Sequence, residues 1–455
     1  MKLAAVILAA GQGTRMVSDL PKVLHPLAGR PLISYAIETV SALAHLKPVM
    51  VVGCGADAVR QQVGDRVTFV EQREQLGTGH ATLQAREALR GQSDLVMVTY
   101  GDMPLLTRET LGRLVERQQH NSGPLTILTL IHDDPRGFGR VIQDETGAVM
   151  EVVEEAVATP EQLALRILNA GAYCFDADWL WRYADQIPLS MPKGEYYLTD
   201  LIGMAVSQGL RVETVATDDA AETIGINTRI HLAEAEQALR RRTNERWMLA
   251  GVTIVDPANT MIEPTVIIGQ DTTIWPNTHL RGDTVIGTRC QIGPGAVIEG
   301  SRVGSGCRIL ASMLEQATVE DGADVGPFSH LRPGARVCER AHVGNFAEIK
   351  NATLGPSAWM GHFSYLGDAE IGARANIGAG TITCNFDGTQ KQRTVIGRDA
   401  FIGSDTLLIA PVSVGEGAKT GAGSVVTRDI PDGALAYGVP ARVRRKVVED
   451  EGTDG

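Results

Sequence analysis

Two groups of residues in this 455-residue chain have the types and spacing to do chemistry. The first begins where the apolar run Leu3 to Ala10 empties into "AAGQGTRM". Backbone N–H groups at Gly11, Gly13 and Thr14 can form an anion-binding nest. Arg15 and, in "SDLPKVLHPL", Lys22 set two cations beside it. The glycine pair lacks the third glycine of a dinucleotide fingerprint, and no Gly-Lys dipeptide of a P-loop occurs in the chain. Asp102 lies just past the apolar run "DLVMVTY", at the end of a sheet strand where ligands bind. The second group is Arg332 and Lys350, 18 residues apart, followed by His362 and Tyr365 in "MGHFSYLGD". Two cations brought together suit a dianion, and imidazole suits proton transfer near neutral pH.

Elements must position these groups, and the chain supplies two kinds. Before residue 228, short apolar runs such as "KPVMVVG", "DLVMVTYGD" and "PLTILTL" alternate with helix-like stretches, Thr78 to Leu89 and Thr107 to Gln119 among them. That alternation predicts an α/β domain with a mainly parallel sheet covered on both faces. Residues 229–250 form a charged amphipathic stretch that reads as a linker helix. Beyond it the beat becomes six: Ile268, Ile274, Leu280, Ile286, Ile292 and Ile298, then Val325 to Ile349, then Ile396 to Val414. Neither helix nor simple alternation has this period; short strands with a turn every six residues, three sides to a coil, do. Arg332 and Lys350 then stand on neighbouring coils about 4.8 Å apart, both pointing outward. Unpaired, that stack is unfavourable, and a bound dianion relieves it. Glycine, 20 before residue 229 and 30 after, is expected at the tight corners. The beat slips to five at Ile298–Val303, Ile349–Leu354 and Leu366–Ile371, and "CNFDGTQKQR" must leave the coil as a loop.

Composition narrows the class. A net charge of −12 argues against general nucleic-acid or membrane binding. No apolar run approaches the roughly 18 residues of a membrane span. "MKLAAVILAAG" is expected to be a buried first strand, since one lysine is a poor signal-peptide head. Six scattered cysteines without a C-x-x-C pair read as free thiols of a cytoplasmic protein. The acidic tail after Val448 reads as disordered.

The combination L-A-A-G-x-G-T-R-M followed by P-K resembles the nucleoside-triphosphate: sugar-1-phosphate nucleotidyltransferases. The likeness runs on through "EQLGTGHA", "YGDMPLL", "GFGR", "VVE", "LNAG", "GEYYLTD" and "GINTR". With the hexapeptide half it covers nearly the whole chain, and there it resembles the bacterial bifunctional family that joins an N-acetylglucosamine-1-phosphate uridylyltransferase to a glucosamine-1-phosphate N-acetyltransferase. The resemblance implies a Rossmann-like uridylyltransferase domain at 1–228, a linker helix at 229–250 and a left-handed parallel β-helix acetyltransferase domain at 251–455. It implies catalytic roles for Arg15, Lys22 and His362, with Mg²⁺ shared by Asp102 and Asn227. Leu8, Ala9, Ala10 and Gly11 would line the UTP site, Gln72, Gly77 and Thr78 would recognise uracil, and Tyr100 and Gly101 would line the pocket. Gly139, Glu154 and Asn169 would hold the sugar. In the second half it implies a sugar-phosphate site of Arg332, Lys350, Tyr365 and Asn376. Acetyl-coenzyme A would meet Ala379, Asn385, Phe386, Lys391, Ser404 and Ala422.

The substrates implied are UTP, N-acetylglucosamine-1-phosphate, glucosamine-1-phosphate and acetyl-coenzyme A, and the assembly a homotrimer serving wall-precursor synthesis. Two departures stand out. Phe386 replaces an expected tyrosine, and Gly438 replaces an arginine expected to meet coenzyme A phosphate, leaving Arg442, Arg444 or Arg445 as substitutes. Two rival readings, a pyrophosphorylase with an inert rod and a non-catalytic protein of the same architecture, leave His362 with its cations, or the intact phosphate loop, without a reason.

Overall fold

A computed structural model describes residues 1–446 apart from 135–136, 156–157 and 192–193. The acidic tail therefore lies outside the described residues. Two compact units emerge, Met1–Leu239 and Arg240–Gly455, and the division falls within helix Arg229–Leu249.

In the first unit a nine-stranded sheet has seven strands along its main path: β1 (Leu3–Ala9), β2 (Val49–Val52), β3 (Thr68–Glu71), β4 (Leu95–Tyr100), β5 (Leu125–Ile131), β6 (Ile167–Asp176) and β7 (Val212–Thr217), in the order β7-β5-β6-β4-β1-β2-β3. All pairs are parallel except those of β6, which runs against both β4 and β5. Every residue of β1 is buried because both sheet faces are covered. One apolar layer includes Ile33, Ile37, Leu111 and Leu114; the opposite layer includes Trp181, Leu198 and Leu201. The hairpin Arg140–Gln143/Val149–Val153 joins β6 at Leu168↔Arg140. The helix expected over residues 78–89 is broken into Thr78–Leu83 and Arg86–Leu89, because Gln84 and Ala85 make three-residue bonds to Ala81 and Thr82. Helix Arg108–His120 starts where Thr107 Oγ1 accepts from Thr110 N at 3.2 Å, an N-cap.

The second unit is a left-handed parallel β-helix with three faces. Face one carries twelve described strands from Thr253–Ile254 onward, face two ten from Met261–Ile262, and face three nine from Ile267–Ile268. Inward residues stack coil upon coil, as in Ile274–Ile292–Ile309–Val325–Val343–Met360–Ile377–Ile402. This column belongs to one continuous apolar core. Two further five-residue sides occur beyond the three expected, Ile309–Leu314 and Leu314–Val319. At each, a single left-handed residue, Ala311 (φ 41°) or Gln316 (φ 46°), turns the corner and shortens it.

The expected corner role holds for glycines such as Gly282 (φ 60°), Gly306 (φ 67°) and Gly322 (φ 67°), but it does not account for those that follow the inward aliphatics. Gly287, which follows an inward aliphatic, does not have positive φ; a Cβ there would sit 2.6 Å from Gly304 of the next coil. Close approach between coils, not corner strain, selects it, and many left-handed corners are held by other residues such as Phe328 and Phe346. "CNFDGTQKQR" does leave the coil, as a small hairpin closed by a Phe386–Lys391 bridge between strands Ile382–Cys384 and Thr394–Ile396. The six cysteines are free thiols.

Candidate functional site

In the first unit the loops after β1 and β4 meet at the carboxyl end of the sheet, where Gly101 N donates to Leu8 O at 2.9 Å. They surround a cavity of about 650 Å³. Leu8, Ala9, Ala10, Gly11, Gly13, Thr14 and Arg15 line one side. Gln72, Gly77 and Thr78 line another, with Tyr100, Lys22, Asp102 and Asn227 completing it. Gln75 and Glu195 also face the cavity; neither was expected, since no charge or glycine pattern marks them. Gly13 is left-handed (φ 65°) and a Cβ there would strike Lys22, so a bare backbone is required beside the anion nest. Gln72 is buried and its Nε2 donates to Gly77 O at 3.0 Å, which leaves its Oε1 free to accept. Gly77 (φ 96°) has no room for a side chain against Tyr196 O.

At one end of this cavity Lys22 Nζ donates to Asp102 Oδ2 in an ion pair and to Asn227 Oδ1 at 3.0 Å. The ammonium thus occupies a point that both side-chain oxygens face. Two oxygen donors, one of them charged, around one cationic point fit a hard divalent ion that completes its shell with water and substrate phosphate. No cluster of three or more His, Cys, Asp or Glu able to hold a metal occurs among the described residues.

Gly139, Glu154 and Asn169 come together beside this cavity. Asn169 N donates to Gly139 O at 2.8 Å, and a Cβ on Gly139 would lie 3.8 Å from Glu154 Cδ. Asn169 Nδ2 reaches Tyr173 Oη at 2.8 Å, and Tyr173 hydrogen-bonds Tyr100, which lines the cavity. Burial pushes the Tyr173 phenol up to about 12 and the Tyr100 phenol well above its ordinary value, with nearby Asp102 and Glu154 adding to the Tyr100 shift. Both phenols therefore remain neutral at working pH. Gly101 does not line the cavity: its missing Cβ leaves room for Ile33, 2.5 Å from where that atom would be.

In the β-helix, Leu331 pairs with Ile349 and Lys350 with Gly367, so Arg332, Lys350 and Gly367 form one column at the end of face two. A Cβ on Gly367 would lie 2.3 Å from Tyr365 Oη, so the phenol folds over the glycine and joins the two cations. The expected stack of unpaired cations is corrected: Arg332 Nη1 donates to Glu348 Oε1 at 2.8 Å, and Glu348 holds the guanidinium pKa above its ordinary value. Alternation places Glu348 outward beside Lys350, which was the available signal. Lys350 itself makes no ion pair among the described residues.

His362 is exposed at the opposite edge of face two. It lies two residues past inward Met360, and Ala379, Ser404 and Ala422 lie two past Ile377, Ile402 and Thr420. The four thus form a single column down one corner. Gly378 and Gly403 would clash with the Ser404 and Ala422 amides if they carried a Cβ, so bare backbone runs beside the column.

Three expected groups are not brought to this place within one chain. Asn376 is on face one, between exposed Trp359 and Phe401. Asn385 and Lys391 are on the hairpin at the far corner of face two, where Asn385 Nδ2 pairs with Asp368. Phe386 is 63% exposed at its tip. Gly438 has φ 103°, a conformation an arginine rarely adopts. Of the possible substitutes, Arg442 donates to Ala441 O and Arg444 stacks on Tyr437, while the side chain of Arg445 lies outside the described residues.

Comparison with known proteins gives the same division. A model of the MobA-like NTP transferase domain matches residues 5–156, and bacterial transferase hexapeptide repeats match 265–300 and 393–428. The bifunctional protein GlmU of Stutzerimonas stutzeri is 49% identical, covering 96% of each chain. That of Heliobacterium modesticaldum is 45% identical over 99% of this chain and 97% of its own, and that of Shouchella clausii 43% over 97% of each. The chain belongs to the GlmU family. It is a transferase with two activities, N-acetylation of glucosamine-1-phosphate and uridylyl transfer to N-acetylglucosamine-1-phosphate. The nucleotidyltransferase is the N-terminal domain, the acetyltransferase is the hexapeptide domain, and the family's nucleotidyl chemistry calls for a divalent metal. No described helix is long and apolar enough to cross a membrane.

Proposed function

We propose that the first-unit cavity is the uridylyl-transfer site and face two of the β-helix the acetyl-transfer site, each with the residues named above. Acetyl transfer comes first. Arg332, Lys350 and the Tyr365 hydroxyl hold the phosphate of glucosamine-1-phosphate at one edge of face two. The amine then lies toward His362 at the other edge, where the imidazole takes its proton as nitrogen attacks the thioester carbonyl. The C–S bond breaks and coenzyme A leaves as the thiol, with the proton returned by the imidazolium. Acetyl-coenzyme A lies along Ala379, Ser404 and Ala422, small residues that leave backbone amides within reach. The column that puts His362 in line with these three, on the face that carries the cations, is the observation that supports this reading most.

The product, N-acetylglucosamine-1-phosphate, then attacks the α-phosphorus of UTP in the first cavity, and pyrophosphate leaves. Gln72 and Gly77 read the base, and Gly139, Glu154 and Asn169 hold the sugar. Arg15 and Lys22 neutralise charge that grows on the phosphates; little covalent work falls to the protein. Mg²⁺ between Asp102 and Asn227 would orient and polarise the triphosphate. Lys22, which faces both oxygens, would then turn to the phosphates. The uridylyltransferase and acetyltransferase domains are taken as residues 1–228 and 251–455, joined by the helix.

The working assembly is a homotrimer. Asn376, Asn385 and Lys391 sit away from the column they would serve, so a neighbouring chain must supply them. Six free thiols and the substrates suit a cytoplasmic enzyme that supplies UDP-N-acetylglucosamine for wall polymers. The test is to incubate purified protein with glucosamine-1-phosphate, acetyl-coenzyme A, UTP and Mg²⁺ and to identify products by mass. UDP-N-acetylglucosamine must form, and omitting acetyl-coenzyme A must stop it; UDP-glucosamine as the main product would reverse the order of steps.

A further inference from the structure

Asp102 and Asn227 reach their common point from distant stretches of chain, and two hydrogen bonds tie those stretches together. Ile226 N donates to Asp102 O at 2.9 Å. Four residues earlier on one segment and five later on the other, Thr107 Oγ1 donates to Glu222 Oε1, also at 2.9 Å. The Thr107 oxygen already accepts from Thr110 N as the N-cap of helix Arg108–His120, so its proton is available, and Glu222 takes it. That helix is a rigid support, and Glu222 fastens the 222–227 segment to its first turn. Glu222 itself is held on the short turn Ala220–Thr223 by its amide, which donates to Asp219 O at 3.0 Å.

Glu222 is only 6% exposed, and its Oε2 has no hydrogen-bond partner among the described residues. A buried carboxylate with one oxygen idle is costly to keep. Its retention needs a return, and the one hydrogen bond its side chain makes among the described residues is that with Thr107.

We propose that Glu222 is a positioning residue for the metal of uridylyl transfer. With Thr107 it sets the 222–227 segment against the 102–107 segment, so that Asn227 Oδ1 and Asp102 Oδ2 face one point. Glu222 touches neither metal nor substrate. The inference rests on the reading of Asp102 and Asn227 as the ligands and extends it to the residue that aligns them.

The test uses full-length protein with Mn²⁺ as probe. Binding is read by water-proton relaxation at fixed UTP without sugar phosphate, beside acetyl-transfer rates. Loss of an outer support typically weakens metal binding about 10–100-fold, and Glu222→Ala is expected to fall in that range with acetyl transfer unchanged. Glu222→Gln keeps an acceptor for Thr107 and should stay within about threefold of the parent protein. Unchanged Mn²⁺ binding in Glu222→Ala overturns the proposal. So does a Glu222→Gln as weak as the alanine variant, because charge and not alignment would then be at work. If Glu222→Ala fails to fold, Thr107→Ala removes the same bond from the other side and must weaken Mn²⁺ in the same way; unchanged binding there is equally fatal. Asp102→Ala separates the layers: Mn²⁺ binding that survives it removes the ligand assignment, whereas binding lost there but intact in Glu222→Ala removes only the clamp.

Discussion

The two working regions of this molecule are built on opposite plans. In the α/β unit, residues from six separate stretches, Leu8 to Asn227, converge on one open cavity of about 650 Å³. The sheet edge gathers them, because every loop at its carboxyl end has the same destination. In the β-helix nothing converges. Side chains are laid out in columns on flat faces, with Arg332–Lys350–Gly367 at one edge of face two and His362–Ala379–Ser404–Ala422 at the other. A rod can align groups along its length, but it cannot wrap around a ligand. In the proposed homotrimer the missing wall comes from another chain, and the exposed hairpin tip at Phe386 and the exposed aromatic pair flanking Asn376 are the surfaces that would provide it. On the proposed reading, one site is complete in a single chain and the other is not.

The strongest way to break this contrast is to disable each site alone. Asp102→Ala removes the carboxylate of the proposed metal site and should lower uridylyl transfer by about 10³-fold or more, with acetyl transfer at the parent rate. His362→Ala should do the reverse, lowering acetyl transfer by about 10²–10⁴-fold. Separate assays of the two half-reactions, with thermal melts to verify folding, decide the matter; both variants losing both activities would deny the separation. A chelator sharpens the same point without mutation. EDTA should stop uridylyl transfer and leave acetyl transfer untouched, since the acetyl site as read here uses no metal.

Mixing chains probes completeness directly. Arg332→Ala and Asn376→Ala should each be poor acetyltransferases, one on face two and one on face one. If a neighbour supplies Asn376, co-expressing them in equal amounts rebuilds an intact site wherever the two variants meet in the right order, in about a quarter of the sites of a random cyclic assembly. Lys22→Ala with Asp102→Ala should never recover uridylyl transfer, because both residues belong to one cavity in one chain. Recovery in the second mixture, or none in the first, would invert the comparison.

Much of this was legible in the chain. The glycine loop and Asp102 announced themselves because strand ends in an α/β sheet have a known fate, and the structure brings Arg15, Lys22, Asp102 and Asn227 to one cavity. Arg332 and Lys350 could be paired by counting, since no slip falls between them. The column below His362 could not: the steps from Met360 to Thr420 are 17, 25 and 18 residues, and the hairpin inside the second hides the register. The short sides at Ile309–Leu314–Val319 escaped because Ala311 and Gln316 carry no mark of a left-handed corner. Glu348 was within reach of the same counting, being outward beside Lys350 on the coil next to Arg332. Glu222 was not: it acts on a partner 115 residues away, and only the fold brings the two into contact.

The smallest expected effect concerns what holds the rod in shape. In a packed α/β core an added methyl can be absorbed by shifting side chains, but the coils of the β-helix meet backbone to backbone. A Cβ on Gly287 would come within 2.6 Å of Gly304 C and O, main-chain atoms with no rotamer to yield. Gly287→Ala should therefore cost about 1–3 kcal/mol of β-helix stability, although the residue has ordinary φ and no ligand role. Because each coil touches only its neighbours, the strain stays local. The melting transition of the β-helix should fall while uridylyl transfer keeps its rate, and acetyl transfer, whose residues begin several coils later, should keep its KM. Gly64 offers the control: its φ of 64° and ψ of −139° fall in a region that favours glycine, with open space around its missing Cβ, so Gly64→Ala strains only its own backbone, by about 1–3 kcal/mol, and in the α/β unit. A Gly287→Ala protein that melts like the parent would mean the coils can part without cost. The rod would then be too soft to keep His362 in line with the groove below it.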